Sequence, residues 1–97
     1  MASSSEVRRL KALAHPIRLG MMQRLAAVPE ICACDLGEAF GVSQPTVSEH
    51  LRVLREAGLV RTRREGTSIC YSAVPEAVNA LLAVIGGLQP TAAAEAA

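Results

Sequence analysis

Between Ser43 and Gly58 the chain reads SQPTVSEHLRVLREAG, and Val47, Leu51 and Leu54 fall on one stripe at helical spacing. Pro45, Ser48, Glu49 and Arg52 lie on the opposite face, with Thr46 and His50 on a flank. Ser43 suits an N-cap, Gln44 and Pro45 a first turn, and Gly58 a left-handed cap. The pattern predicts one helix of about four turns. Upstream, residues 35–40 read as a short helix and Gly41-Val42 as a tight turn into Ser43. Two helices so joined make either a plain helical hairpin or a helix-turn-helix unit, whose second helix enters the DNA major groove. The next stretch decides between them. Residues 59–64, a turn at Glu65-Gly66-Thr67 and residues 68–74 alternate as a β-hairpin does. A helix-turn-helix followed by such a ribbon is a winged helix.

The remaining pattern fits that fold. Val7, Leu10, Leu13 and Ala14 mark a first amphipathic helix, with Arg8, Arg9 and Lys11 on its wetter side. His15-Pro16 stops it, His15 serving as a cap or core residue, and Pro16 suits the start of a second helix carrying Ile17, Met21, Met22 and Leu25 inward. After the hairpin, Pro75 opens a last helix whose Val78, Leu81, Leu82, Ile85 and Leu88 form an apolar face larger than a surface helix of this size needs. That face reads as a dimer seam, shared with Val7 and Leu10 of the first helix. The expected fold is therefore mainly α with a small β-hairpin: about five helices and a two-stranded wing, in a homodimer. Residues 1–5 are expected to be a flexible lead, 6–88 the winged-helix DNA-binding and dimerisation domain, and 89–97 a flexible tail.

Composition sharpens this picture at three points. The 51% hydrophobic fraction is swollen by alanine, and Phe40 and Tyr71 are the only aromatic residues apart from histidine, so the core must be aliphatic. A formal charge of +1 says little, but Arg52, Arg55, Arg61, Arg63 and Arg64 cluster on the side proposed for DNA. The same cluster, interleaved with Glu49, Glu56 and Glu65, also fits a solvated face. No basic segment leads into an apolar run and cleavage site, and residues 77–94, though uncharged, are interrupted by Asn79, Gly86-Gly87, Gln89 and Pro90. A cytoplasmic protein with no membrane span is expected. In that compartment the three cysteines read as free thiols or metal ligands rather than as a disulfide framework. A thiol enzyme is disfavoured, because neither His forms a recognisable nucleophile–base arrangement and a chain this short leaves no cleft.

Four runs carry a family resemblance: residues 13–19 (LAHPIRL), 31–36 (ICACDL), 43–60 (SQPTVSEHLRVLREAGLV) and 66–71 (GTSICY). Their order and spacing resemble the ArsR/SmtB winged-helix metalloregulators over nearly the whole chain except its ends. The resemblance implies a homodimeric, DNA-binding transcriptional regulator, usually a repressor that leaves its operator when an inducer binds, with a seam of first and last helices. Cys-x-Cys-Asp-Leu at this place is similar to that of arsenite, antimonite, cadmium or lead sensors. Two departures stand out. Gly37 occupies the neighbourhood where arsenite sensors often have a third Cys, and the first five residues lack the cysteines that cadmium sensors add. The family's zinc or nickel site on the last helix would find only Glu76.

On the DNA side, Gln44 has the paired donor and acceptor that match an adenine edge, Thr46 and Ser48 can donate to bases or phosphates, and Arg52 can reach a guanine or a phosphate. Pro45 shares their face, and His50 is placed for either DNA contact or packing. Arg63, Arg64 and Thr67 at the wing tip are expected to follow phosphates. On the sensing side, Cys32 and Cys34 offer two soft thiolates at a helix start, where the amide dipoles favour negative charge. Inside a helix, residues two apart point about 200° from each other. In an extended lead-in they share a side, with Cα atoms roughly 6.6 Å apart. The pair can hold one ion only if the helix begins after it. Cys70, in the second wing strand, is expected to be structural and not to reach Cys32. The function expected is a dimeric repressor, with no permanent cofactor, that releases double-stranded operator DNA when arsenite or antimonite binds Cys32 and Cys34. Alternatives are the same regulator answering nickel, zinc or cadmium, answering thiol oxidation, working without an inducer, or activating.

Overall fold

A computed structural model of the chain describes residues 3–91. The elements run α1 (Ser4–Leu13), α2 (Pro16–Ala27), β1 (Ile31–Cys32), α3 (Ala33–Phe40), α4 (Gln44–Glu56), β2 (Val60–Glu65), β3 (Ser68–Ala73) and α5 (Pro75–Gly86). Five helices and a small antiparallel sheet make the winged helix that the hydrophobic pattern predicts. No described helix is long and apolar enough to cross a membrane.

Local chemistry explains the boundaries. Ser3 caps α1 in a reciprocal capping box with Glu6, so helix starts within the lead expected to be flexible. Residues 1, 2 and 92–97, where the rest of that lead and most of the expected tail fall, lie outside the described residues. His15 caps α2, its Nδ1 accepting from the Ile17 amide at 3.1 Å, and Pro16 takes the first position. Ser43 caps α4 through the Thr46 amide. Gly41 ends α3 at φ +62°, and Gly58, at φ +78°, lets the Leu59 amide reach back to the Leu54 carbonyl at 3.0 Å.

The core is aliphatic, as expected. Met21, Leu25, Leu36, Val47, Leu51, Leu54 and Leu59 are its largest fully buried side chains, joined by Ala12, Ala57 and Ala77. Val47, Leu51 and Leu54, the predicted stripe, are each 0% exposed. Arg9, expected on the wetter side of α1, instead turns inward at its head and donates to the Ala57 carbonyl at 3.1 Å, tying α1 to the end of α4. Gly37 sits close under the start of α4: a Cβ there would displace the flexible end of Gln44 and meet Val47 Cγ2 at 3.2 Å.

The sheet has one strand more than expected. Its order is β1-β3-β2, with Ile31 opposite Tyr71 and Cys32 opposite Cys70 across β1 and β3, and Val60 to Glu65 pairing Ala73 to Ser68 across β2 and β3. Ile31 and Tyr71 pack on the core, and the burial of Tyr71 together with its neighbour Cys70 fixes the register. The predicted apolar face of α5 splits. Leu81 is buried in the chain's own core and Val78 packs against it, whereas Leu82 and Ile85 stand 61% and 49% exposed. Leu10 packs on the core from α1, and Val7 is exposed. Leu82 and Ile85 border an apolar groove of about 280 Å³ between α2 and α5, floored by Met22 and Leu81.

Because Leu51 is fully enclosed, Leu51→Ala should cost about 2–5 kcal/mol of unfolding free energy. Urea titration followed by circular dichroism measures this, and a loss well under 1 kcal/mol would show that the stripe is not what anchors α4.

Candidate nucleic-acid interface and thiol site

With its apolar stripe enclosed, α4 turns Gln44, Pro45, Ser48, Glu49, Arg52 and Arg55 to solvent. Thr46 is half-buried, its hydroxyl 3.0 Å from that of Ser43 and so engaged in the cap. Gln44 donates from Nε2 to the Cys34 carbonyl at 3.5 Å, a contact that joins the first turn of α4 to the first turn of α3. The wing carries Arg63, Arg64 and Thr67 exposed beyond the core, turning at Gly66 with φ +59°.

The arginines of this surface are mostly paired. Arg52 donates from Nε to Glu49 at 3.1 Å and from Nη1 to Glu56 at 2.8 Å. Arg63 grips Glu30 through Nε at 2.9 Å and Nη2 at 2.6 Å, and also pairs with Glu65; Arg61 lies 3.4 Å from Glu76. Hydrogen bonds from Arg52 hold the Glu49 carboxyl below its ordinary pKa, and those from Arg63 do the same to Glu30. Arg55 and Arg64 form no ion pair among the described residues. Both sequence readings of the cluster thus describe one surface: solvated, carboxylate-laced, and basic along its outer edge.

His50, on the flank of α4 and placed by the sequence for either DNA contact or packing, turns toward the α1–α2 junction. Its ring lies 4.6 Å from that of His15, centroid to centroid, and Nδ1 is 3.5 Å from Nη1 of Arg18, which also donates from Nε to the Ala12 carbonyl at 2.6 Å. His50 therefore helps join α4 to the α1–α2 junction. Burial, then the positive neighbours His15 and Arg18, push its pKa below the ordinary 6.5, against a weaker upward pull from Glu49.

The thiol geometry departs from expectation in two ways. Helix α3 begins at Ala33, so Cys32 is its N-cap, in extended conformation, while Cys34 already sits in the first helical turn. The condition that the helix begin after both cysteines is not met. Cys34 is exposed, its Sγ 3.9 Å from Oδ1 of Asp35. Cys70, expected to stay apart from Cys32, lies directly opposite it, with Cα atoms 4.0 Å apart and the two sulfurs joined as a disulfide. The cause is β1, a two-residue strand too short to leave a periodic signal, which adds itself to the edge of the wing. Cys32 and Cys34 line an opening of about 280 Å³ together with Ser48 of α4 and Thr67 of the wing. Among the described residues no three His, Cys, Asp or Glu side chains form a group able to hold a metal ion. As arranged, with the Cys32 sulfur taken by Cys70, the pair does not fit a soft ion.

Fold and surface together define a winged-helix protein with a solvent-facing recognition helix. Residues 15–62 match the model of the bacterial regulatory protein, arsR family. The arsenical resistance operon repressor of Escherichia coli K12 is 43% identical over 65 residues, which are 67% of this chain and 56% of that repressor, so this chain covers little over half of that relative. A crystal structure of a possible transcriptional regulator for arsenical resistance superposes with TM-score 0.78 at 32% identity, covering 86% of this chain and 85% of the other. The solution structure of the homodimeric winged helix-turn-helix DNA-binding domain of Mb0332 from Mycobacterium bovis gives TM-score 0.72 at 34% identity, covering 87% and 77%. The chain belongs to the arsR family of bacterial regulatory proteins.

The environment of His50 predicts a pH dependence. Its folded pKa is depressed, so the unfolded chain takes up the proton first as pH falls. The associated stability is complete above the unfolded value near 6.5 and is lost as pH drops from there toward the folded value. Urea midpoints should therefore fall between about pH 7.5 and about pH 5.5, and His50→Gln should flatten that fall. An unchanged slope in the variant would assign the effect to other groups.

Proposed function

We propose that this chain is a dimeric, DNA-binding transcriptional repressor whose operator binding is relieved by a thiophilic metalloid, arsenite or antimonite, at Cys32 and Cys34. The observation that carries the DNA half is α4 itself: its apolar stripe is enclosed, and Gln44, Ser48 and Arg52 project from the opposite face beside the basic wing edge. Those side chains are the types that contact base edges and phosphates, and a helix so mounted presents them to a major groove. Pro45 and Thr46 shape the helix start, Arg63, Arg64 and Thr67 follow the backbone, and His50 acts from behind by holding α4 in place.

A dimer supplies the second recognition helix. Leu82 and Ile85 are large, exposed and adjacent on α5, with Val7 of α1 exposed as well, and a second copy would cover them while Leu81 and Val78 brace the helix from within. The homodimeric mycobacterial neighbour supports that assembly. Two helices then meet half-sites one helical turn apart.

The inducer half rests on chemistry and kinship. Thiolates prefer soft ions, and the similar Escherichia coli protein is a repressor of arsenical resistance. Reduced Cys32 and Cys34 flank the start of α3, and holding one ion between them requires the first turn of α3 to unwind past Cys34. The Cys34 carbonyl accepts from Gln44, so that unwinding bears directly on the first turn of the reading helix. No resident cofactor is required, and the chain is read as a binding protein without catalysis.

Fluorescence anisotropy of labelled operator DNA, on protein kept reduced, tests both halves. Arsenite should release the DNA from wild type and leave it on the Cys32→Ser/Cys34→Ser variant; release from both, or from neither, would overturn the inducer assignment. Arg52→Ala should weaken operator binding by about 1–3 kcal/mol. The exposed pairs with Glu49 and Glu56 do not prevent this, because such helix pairs contribute only about 0.3–0.5 kcal/mol each and yield to a phosphate or a guanine. Unchanged affinity and salt dependence in Arg52→Ala would remove Arg52 from the interface.

A further inference from the structure

We propose that Cys32 and Cys70 form a redox-active dithiol that closes by exchange with a low-molecular-weight disulfide, and that closing it withdraws Cys32 from the soft-ion site shared with Cys34. The second clause rests on the proposed inducer site, while the first stands on geometry alone. Cys32 and Cys70 are register partners whose Cα atoms are 4.0 Å apart, 38 residues distant in sequence, and their sulfurs are bonded. The neighbouring Ile31–Tyr71 pair, packed on the core, holds that register. The facing of the two thiols is thus fixed by the fold, whether or not the bond is closed.

The two sulfurs differ in access. Cys70 is buried, 2% exposed, whereas Cys32 is half-buried and borders the opening between α4 and the wing tip. Of these two, an incoming disulfide therefore meets Cys32 before Cys70. Cys32 Sγ attacks one of its sulfurs and expels the other half as a thiol, which carries away the Cys32 proton. Cys70 Sγ then attacks Cys32 Sγ in the mixed disulfide, and the remaining half leaves as a second thiol with the Cys70 proton. Two cysteine thiols are oxidised and one small disulfide is reduced to two thiols. Cys34, outward on α3, is left free. One sulfur cannot serve both partners: in the closed form Cys32 is held against β3, and a soft ion finds only Cys34. In reducing surroundings the bond stays open and the proposed sensor is armed; oxidation disarms it.

The test uses the full chain with oxidised glutathione and arsenite as probes. Reduced protein and protein treated with oxidised glutathione are compared for free thiols, for disulfide linkage by peptide mapping without reductant, and for arsenic retained after gel filtration. Treatment should take wild type from three thiols, counted in denaturant, to one, or to none where exposed Cys34 carries an adduct as well. It should map the link to Cys32–Cys70 and abolish arsenic retention, which reductant restores. In Cys70→Ser, the glutathione adduct should accumulate on Cys32 because the resolving thiol is gone. Three thiols surviving treatment, a link mapped to Cys32–Cys34 or between two copies, or an adduct on Cys34 alone would overturn the proposal. Equal arsenic retention by oxidised and reduced wild type would overturn the competition. If the Cys32–Cys70 link forms but neither redox state retains arsenic, the dithiol is established and it is the metalloid reading that fails. Mapping on wild type needs no variant, so misfolding of Cys70→Ser leaves the test intact.

Discussion

Everything this molecule presents to its surroundings depends on the enclosure of three side chains, Val47, Leu51 and Leu54, by the rest of the chain. Burying an aliphatic side chain of this size contributes about 1.5–3 kcal/mol, and the stripe fixes the rotation of α4 about its own axis. Once that rotation is set, Gln44, Ser48, Glu49 and Arg52 have nowhere to go but outward. The flank residue His50 then falls against His15 and Arg18, and Gly37 leaves room for the Gln44 amide to lie close over α3.

The second constraint is smaller and reaches further. Strand β1 contributes only Ile31 and Cys32, yet it joins the helix-turn-helix to the wing by pairing with Tyr71 and Cys70. Strand pairing of this kind is specified by burial, here of Tyr71 with Ile31 against the core and of Cys70 on the other face. The juxtaposition of the two cysteines is therefore a consequence of the register that this burial sets. A cysteine in the wing and a cysteine at a helix cap, unrelated in sequence, are thereby made neighbours.

What was legible in the sequence was what is encoded locally. Helical periodicity, the serine cap at position 43, the prolines at positions 16, 45 and 75 and the turn glycines each act within a few residues, and the helices and hairpin follow from them closely. The exposed recognition face was readable for the same reason. Three things were not. The two-residue strand is shorter than any period that could reveal it, and so the reach of Cys70 to Cys32 was missed. The buried alanines at positions 12, 57 and 77 mark close helix approaches, which a pattern of large apolar residues overlooks. The direction of the arginine heads depends on partners far along the chain: Arg9 finds the Ala57 carbonyl and Arg63 finds Glu30, across gaps that sequence spacing does not span. The split of α5, with Leu81 inward and Leu82 and Ile85 outward, lies between these cases, since the apolar face was evident but not which part its own domain would cover.

Charge closes the physical picture. A formal charge of +1 gives no large field to draw the chain toward a polyanion, and Arg52, Arg61 and Arg63 each hold a carboxylate. These pairs are exposed, and exposed pairs are held by fractions of a kcal/mol, so they do not compete seriously with a phosphate array that binds through counterion release. Their effect lies in the unbound state. Paired arginines are ordered and locally neutral, whereas Arg55 and Arg64 form no ion pair among the described residues. Under the proposed function, specificity rests on the shape and donor pattern of α4, and the acidic residues interleaved with the arginines restrain sequence-independent attraction to nucleic acid.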